Sequence, residues 1–248
     1  MINCKLVQTA KPPTAAYPGV DASLLGIRTG MSVKQVEAIA AKLGLGRPST
    51  TINSFNGNVA VGNTVIVTAS DNYIERINYQ KDPVGNSPGL SVEVMFTSPA
   101  TGNSSYYVEV NKNYPYDQNK DPVEVNTVMA DLLHQYGPAT HQNTSPEQHW
   151  LCWNFNGQSL IKISPNHPNC YTSILNQSPP LLADFFIAAG VSTNPRNPTK
   201  VLGIGESIGD NRLPLMDSNA GIKQLINAGK KYVQTHKALA GARFWINN

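Results

Sequence analysis

The sequence has no long uninterrupted apolar segment. Its longest apolar runs, Leu181–Val191 and Leu239–Ile246, are shorter than the roughly 20 residues that a helix needs to cross a bilayer. We therefore expect no transmembrane helix. The start of the sequence also lacks a basic region followed by an apolar stretch. Two interpretations remain, a cytosolic protein or an exported protein whose signal peptide has been removed, and we favour export.

Charge is scarce as well. Charged residues make up 14% of the chain and hydrophobic residues 40%, which is typical of a globular protein and excludes a charge-rich disordered chain. A chain of 248 residues can bury a sizeable core. The remaining composition is rich in Asn, Ser, Thr, Gly and Pro, as in many periplasmic or secreted proteins with long loops. The composition therefore agrees with a periplasmic or secreted location.

Cysteine is limited to three residues. Cys152 and Cys170 flank a short apolar run, so a hairpin would bring them within bridging distance, and we predict a disulfide between them. The alternative is two unrelated thiols. Cys4 is then left as a free thiol, part of a non-native tail, or a lipid attachment point without a lipobox before it. Since no C-x-x-C or closely spaced Cys/His cluster occurs, we expect no metal site.

The first regular element is a short amphipathic helix between Gly30 and Gly44. Ser32 stands at the N-cap position with Gln35 three residues later, as in a capping box. Apolar residues recur at helical spacing from Val33 to Leu43 before Gly44 ends the helix.

A period of two then indicates strands, and a second helix is predicted over 123–136. The predicted strands are 64–68, 73–79, 90–97, 105–110, 148–155 and 160–163. These patterns favour an α+β fold with an antiparallel sheet and helices packed on one face.

Two short motifs carry a resemblance to a known family. They are Gly30-Met31-Ser32 with Leu43-Gly44 and Pro48, and later Leu133 with Tyr136-Gly137-Pro138. Over about residues 24–175 the chain resembles the SmpA/OmlA family of outer-membrane lipoproteins and the β-lactamase-inhibitor-protein-like fold. The resemblance implies a small helical layer on a curved antiparallel sheet, a scaffold for protein binding in bacterial envelopes. The strand region between the helices is longer here, and the second copy lacks the Gly-Met-Ser start, so no binding residue is carried over.

We divide the chain into an irregular leader (1–20), a helix-plus-sheet domain (21–177) and a loop-rich, helical C-terminal extension (178–248). In the extension, Pro179-Pro180 opens a predicted apolar helix through Ala189, and a loop-rich stretch follows from Ser192 to Pro214. The last segment, Asp217 to Trp245, is predicted to be a helix capped by Asp217 or Ser218. Its apolar stripe is expected to be buried, and consists of Ile222, Leu225, Ile226, Val233 and Leu239.

The best match to a catalytic motif is Gly205-Glu-Ser-Ile-Gly209, which has the G-x-S-x-G pattern of a nucleophile elbow. Ser207 would be the nucleophile, with Asp217 and His236 following in the order of an α/β-hydrolase triad. No helix begins after Gly209, and the chain lacks alternating β-α units. We therefore expect a chance match in a loop, keep a serine hydrolase as an alternative, and expect no cofactor.

Aromatic and basic residues provide the candidate binding positions. Tyr106 and Tyr107 lie in one strand, and alternation places Trp150 and Trp153 on opposite faces of another, so one of them should be core and the other near solvent. Lys223, Lys230 and Lys231 belong to segment 217–248, which has five basic residues against Asp217 alone. This segment is a second alternative, a contact for an anionic surface. No aromatic-interleaved basic motif points to nucleic acid. We predict an exported, non-catalytic protein of the inhibitor, immunity or envelope-assembly type whose partner is another protein.

Overall fold

A computed structural model describes residues 2–11, 22–61, 64–85, 87–115, 123–157, 159–160 and 183–235. Within these ranges the chain forms an antiparallel nine-stranded sheet, a three-stranded sheet and three α-helices. The helices are α1 (Val33–Lys42), α2 (Val125–Tyr136) and α3 (Arg212–Thr235). The α+β class predicted from the sequence is confirmed. No helix in the described ranges is long and apolar enough to span a membrane.

The larger sheet has strands in the order β10, β9, β11, β12, β7, β6, β5, β2, with β8 paired beside β9. Their bounds are β2 Ser49–Asn53, β5 Tyr73–Lys81, β6 Gly89–Phe96, β7 Ser105–Asn113, β8 His141–Thr144, β9 Gln148–Asn156, β10 Ser159–Leu160, β11 Phe185–Asn194 and β12 Asn197–Asp210. The smaller sheet has the order β1, β4, β3, with β1 Ile2–Cys4, β3 Asn56–Val61 and β4 Thr64–Ser70. β1 and β4 run parallel.

Helices α1 and α2 pack on one face of the larger sheet, which we call the helix-covered face. Val36 of α1 and Leu132 of α2 belong to the same buried cluster as Val92, Val108 and Ile187 of the sheet. The start of α1 has the predicted capping box, since the Ser32 hydroxyl accepts from Gln35 N–H while the Gln35 side chain accepts from Ser32 N–H. Local signals of this kind are independent of the rest of the fold, and here they specify the helix start correctly.

Residues 185–210 form two strands of the larger sheet, which differs from the prediction. The predicted apolar helix ending at Ala189 and the loop-rich stretch from Ser192 are wrong, because β11 and β12 lie in the middle of the larger sheet. β11 is buried on both faces, so its apolar residues are continuous and have no period of two to identify a strand. The glycines of β12 indicated a loop. At Gly209, however, a Cβ would lie 2.1 Å from the Phe186 ring, so a larger residue does not fit beside this strand.

The predicted leader and the predicted boundary at 177/178 can be compared with the observed strands. Residues 2–4 of the predicted irregular leader form β1, which pairs with β4. The boundary at 177/178 lies outside the described residues. Described residues on both sides of it supply strands to the same sheet, since β11 pairs with β9 and β12 pairs with β7.

Helix α3 begins earlier than predicted and packs against the smaller sheet. It starts at Arg212, so the predicted cap at Asp217 or Ser218 is wrong. Leu225 is buried against Cys4, Leu6 and Phe55 of the same chain. Ile222 and Ile226 are half-buried, whereas Val233 and Leu239 lie outside the described side chains. The stripe therefore packs on its own chain at Leu225.

Asp217 lies inside α3 and connects this helix to the larger sheet. Its carboxylate accepts hydrogen bonds from Ser98 N (2.8 Å), Ser98 Oγ (2.6 Å) and Thr101 Oγ1 (2.7 Å). Ser98 precedes a 3-10 turn, Pro99–Thr101, at the end of β6. Since Asp217 is 6% exposed, these three donors replace the water that the carboxylate loses on burial.

Candidate binding surface

The face of the larger sheet opposite α1 and α2 carries a row of polar side chains on β5, β6 and β7. We call it the polar ladder, and it consists of Arg76, Glu93, Tyr107, Glu109 and Asn111. Strand alternation produces the row, because the intervening residues Ile77, Val94 and Val108 point into the helix-covered core. All five ladder residues are partly exposed.

Two carboxylates stand next to each other in the ladder. Glu93 of β6 and Glu109 of β7 are direct cross-strand partners, a position in which like charges repel. Arg76 offsets the charge of Glu93 through an ion pair of 3.5 Å, and the two side chains are 39% and 26% exposed. Glu109 accepts hydrogen bonds from Tyr107 Oη (2.5 Å) and Asn111 Nδ2 (2.7 Å). Both carboxylates are thus held in fixed orientations while remaining accessible.

Arg76 retains unused hydrogen-bonding capacity. Within the described part of the chain its Nε is buried and has no hydrogen-bond partner. An unpaired buried donor costs about 1–3 kcal/mol, so it is uncommon in a purely structural ion pair. The guanidinium therefore has a donor that its own chain leaves unpaired.

The two ladder-side tyrosines are both half-buried. Tyr106 is the extra residue at the register shift between β6 and β7, and its hydroxyl lies 3.7 Å from Met95 Sδ. Burial and then the nearby Glu75 carboxylate raise the pKa of Tyr106 to about 12. Tyr107 packs beside Phe186, with ring centroids 6.3 Å apart. Both side chains combine an apolar ring with a polar tip.

The predicted arrangement of the two tryptophans is confirmed. Trp153 is fully buried, its ring is tilted against that of Tyr136 with centroids 5.1 Å apart, and its Nε1 donates to Gly137 O (2.9 Å). Trp150 is partly exposed on the opposite face, where it lies over Gly190. Trp153 is therefore a core residue and is not available for binding.

The structure does not form the nucleophile elbow that the serine-hydrolase alternative requires, and the motif lies in a strand and not in the expected loop. Ser207 lies inside β12, is fully buried, and pairs with Ala188 on one side and Glu109 on the other. A nucleophile elbow requires a turn between a strand and a helix that exposes the serine. Asp217 is held by the Ser98 and Thr101 hydroxyls, and His236 lies outside the described residues.

Sequence analysis missed the neighbouring residue, Glu206. Strand alternation turns its side chain to the helix-covered face, where it accepts a hydrogen bond from Tyr136 Oη at 3.3 Å and lies 3.6 Å from Lys112 Nζ. The Glu206 side chain is 13% exposed. Burial raises the pKa of Tyr114, and the negative charge of Glu206 raises it further. The pattern Ile204-x-Glu206-x-Ile208 has a period of two and would have predicted this orientation.

The three lysines of α3 lie on its outer side. Lys223, Lys230 and Lys231 are all exposed. At 3.6 residues per turn they lie opposite Leu225, which packs inward. From Ser218 to Thr235 the helix has no carboxylate.

Cys4 has a free, buried thiol, and burial followed by the Asp71 charge raises its pKa. Cys152 is buried, whereas Cys170 lies outside the described residues, so their disulfide stays a prediction. No group of three or more potential metal ligands occurs among the described residues. Comparison of the chain with family models, curated proteins and solved structures found no match.

Proposed function

We propose that this is an exported, non-catalytic protein that binds another protein through the polar ladder. The observation that carries the proposal is the pair of adjacent, accessible carboxylates, Glu93 and Glu109, each held by a neighbouring side chain. Pre-organised polar groups beside half-buried tyrosines are typical of protein interfaces, where aromatic residues and arginine contribute much of the binding free energy. An inhibitor, immunity or envelope-assembly role agrees with this arrangement and with the resemblance to the SmpA/OmlA family.

The test compares ladder variants with a matched surface variant. Wild-type protein, Tyr107→Ala, Glu93→Gln and Asp131→Asn are immobilised, and the partner retained from an envelope extract of the source cells is purified. Asp131 is an exposed carboxylate on α2, away from the ladder, so Asp131→Asn should bind normally. Each ladder variant should weaken the dissociation constant by about tenfold or more, as hot-spot substitutions do. Equal binding by all four proteins would refute the ladder as the interface.

Export is tested by counting thiols. If Cys152 and Cys170 form a disulfide, the unfolded but unreduced protein should react with one equivalent of alkylating reagent, at Cys4. Reduction before alkylation should raise this to all three cysteines. The native protein should react slowly, because the Cys4 thiol is buried and its pKa is raised. Three reactive thiols in protein isolated from its native compartment without reductant would contradict the disulfide and the exported location together.

The outward lysines of α3 favour a second candidate function, binding to an anionic surface. The supporting observation is that Lys223, Lys230 and Lys231 share one side of a helix whose other side packs on its own chain. Such binding would be electrostatic and would weaken as salt is raised. Cosedimentation with vesicles containing phosphatidylserine should therefore be lost at 0.5 M NaCl and in the triple Lys→Gln variant. Retention at high salt, or no binding to these vesicles, counts against this candidate.

A further inference from the structure

One border of the β-structure is a long unpaired strand edge. β2 is the last strand of the nine-stranded sheet, and β3 is the last strand of the three-stranded sheet. In the described part of the chain, β2 pairs with β5 alone and β3 pairs with β4 alone. We call the outer side of residues 49–61 the free edge. All five residues of β2 are exposed.

The free edge is continuous through a bend. β2 and β3 follow each other in the chain, and their partners β5 and β4 do the same, so the four strands form one bent ribbon. At the bend, Ser70 N donates to Phe55 O (2.8 Å) and Phe55 N donates to Ser70 Oγ (2.9 Å). These bonds keep the two sides of the ribbon paired at the point where it passes from one sheet to the other.

The free edge has few of the features that usually protect edge strands. In an antiparallel ladder, alternate residues direct N–H and C=O groups away from the partner strand. Natural proteins protect such groups with charged side chains, proline, bulges or very short strands. From residue 49 to residue 70 the sequence has no charged residue and no proline. One protective feature is present, a register shift at Thr51/Ile52, where Glu75 of β5 is the extra residue.

The opposite border of the larger sheet is different. There β9 is covered in two pieces, by β8 next to residues 149–152 and by β10 next to Phe155 and Asn156. β8 has four residues and β10 has two, so this border offers no long continuous ladder. Among the described strands, residues 49–61 therefore form the longest edge that is open to strand addition.

We propose that the free edge binds an extended segment of a partner protein, which adds to the sheet as a further β-strand. Only an extended polypeptide presents donors and acceptors at the spacing of the unpaired groups. The inference rests on the proposed protein-binding function and specifies how the partner is recognised. Thr51 pairs with Arg76, so a strand added to β2 lies two strand spacings, about 10 Å, from the ladder residue Arg76, and one partner can contact both surfaces.

The bend favours a peptide over a second copy of this chain. A rigid second ribbon has its own bend and can follow only one half of the free edge, whereas an extended segment can follow both. The exposed side chains of β2 are uncharged and include β-branched Thr50, Thr51 and Ile52. Cross-strand pairs with such residues favour an uncharged, β-branched partner segment.

The probe is a fluorescein-labelled peptide of alternating threonine and valine with a lysine at each end. Its binding is followed by fluorescence anisotropy, and amide hydrogen exchange locates it. We expect slower exchange at alternate residues of β2, because strand addition pairs alternate amides. The same peptide N-methylated at alternate residues keeps its side chains but loses donors, and should bind about tenfold or more weakly, the loss of roughly two backbone hydrogen bonds. Equal binding by both peptides, or no binding by either, would overturn the proposal.

Two protein variants place the site on the edge. Ile52→Lys puts a charge on the free edge, whereas Val65→Lys makes the same kind of change at an exposed residue of β4, which lies inside the smaller sheet. Ile52→Lys should weaken peptide binding and Val65→Lys should leave it unchanged; the reverse would contradict the assignment. A concentration-dependent dimer that Ile52→Lys abolishes would assign the edge to a second copy instead. Tyr107→Ala should keep peptide binding. A failure of the proposal for the free edge is therefore distinguishable from a failure of the proposal for the polar ladder.

Discussion

The two sheets of this protein are stabilised in different ways. The nine-stranded sheet shares one large apolar cluster with α1 and α2, whereas the cluster between the three-stranded sheet and α3 has three buried members, Cys4, Leu6 and Leu225. Helix α3 is also held by the hydrogen bonds that Asp217 accepts at the end of β6 and by the bond that Gln224 donates to Val7 O. A unit with few apolar contacts opens at lower free energy than a large core does, so we expect α3 and the smaller sheet to unfold locally before the larger sheet.

The largest effect is expected in the core of the larger sheet. Trp153→Ala removes a fully buried ring, its contact with Tyr136 and its hydrogen bond to Gly137 O, and should lower the free energy of unfolding by about 3–5 kcal/mol. Urea denaturation should show both sheets losing stability together. Trp150→Ala, at the partly exposed position, serves as the control and should cost clearly less. A loss below that of Trp150→Ala would show that the apolar cluster is not the main source of stability.

The second effect tests the attachment of α3. Asp217→Ala leaves Ser98 N–H and the Ser98 and Thr101 hydroxyls without their buried acceptor, and should cost about 3 kcal/mol. Hydrogen exchange should accelerate in β1, β3 and β4 while β6 and β7 stay protected. Asp131→Ala, an exposed carboxylate of α2, should change the free energy of unfolding by less than about 0.5 kcal/mol. If exchange accelerates equally in both sheets, the two units are one cooperative unit.

A third substitution measures the small apolar cluster. Leu225→Ala removes the side chain of α3 that packs on Cys4, Leu6 and Phe55, and should cost about 2–3 kcal/mol. The matched control is Leu215→Ala on the same helix, since Leu215 is 66% exposed and should cost little. Thermal unfolding followed by circular dichroism compares the two variants. Similar melting temperatures would mean that α3 is held by its hydrogen bonds alone.

The smallest effect concerns pH. Burial and Glu75 raise the pKa of Tyr106 from 10 to about 12, so the folded state holds this proton more tightly than the unfolded state. The resulting stability is fully present below pH 10 and is lost as the pH rises from about 10 to about 12. Tyr106→Phe should therefore reduce the fall in urea midpoint between pH 9 and pH 11. An unchanged fall would assign the alkaline sensitivity to Tyr73, whose pKa burial also raises.

Local signals allowed the sequence to predict much of the fold. The capping box at Ser32 and the alternation in β5, β6 and β7 were sufficient, because one face of each element is wet and the other buried. The sequence did not predict β11 and β12, for the opposite reason. β11 is buried on both faces, and glycines of both strands lie against neighbouring rings, Gly190 against Trp150 and Gly209 against Phe186, a tertiary cause that no local pattern displays.

The candidate site was predicted in part. Tyr106 and Tyr107 were identified as binding positions, and both lie at the polar ladder. Glu93 and Glu109 were recognisable only as wet-face residues, since their juxtaposition depends on the register of β6 with β7. The free edge escaped prediction as well, because neither β2 nor β3 has a clear alternation of apolar and polar residues.

The contact between Gln224 and the start of the chain has a consequence for the order of folding during synthesis. The Gln224 side chain donates to Val7 O (2.8 Å) and accepts from Val7 N (2.9 Å), as a neighbouring strand would, across a separation of 217 residues. During synthesis Val7 leaves the ribosome well before Gln224, because 217 residues separate them. Residues 2–9 therefore lack their contacts with α3 until that helix has been synthesised. During that interval the apolar residues Leu6 and Val7 are available to chaperones that hold nascent chains.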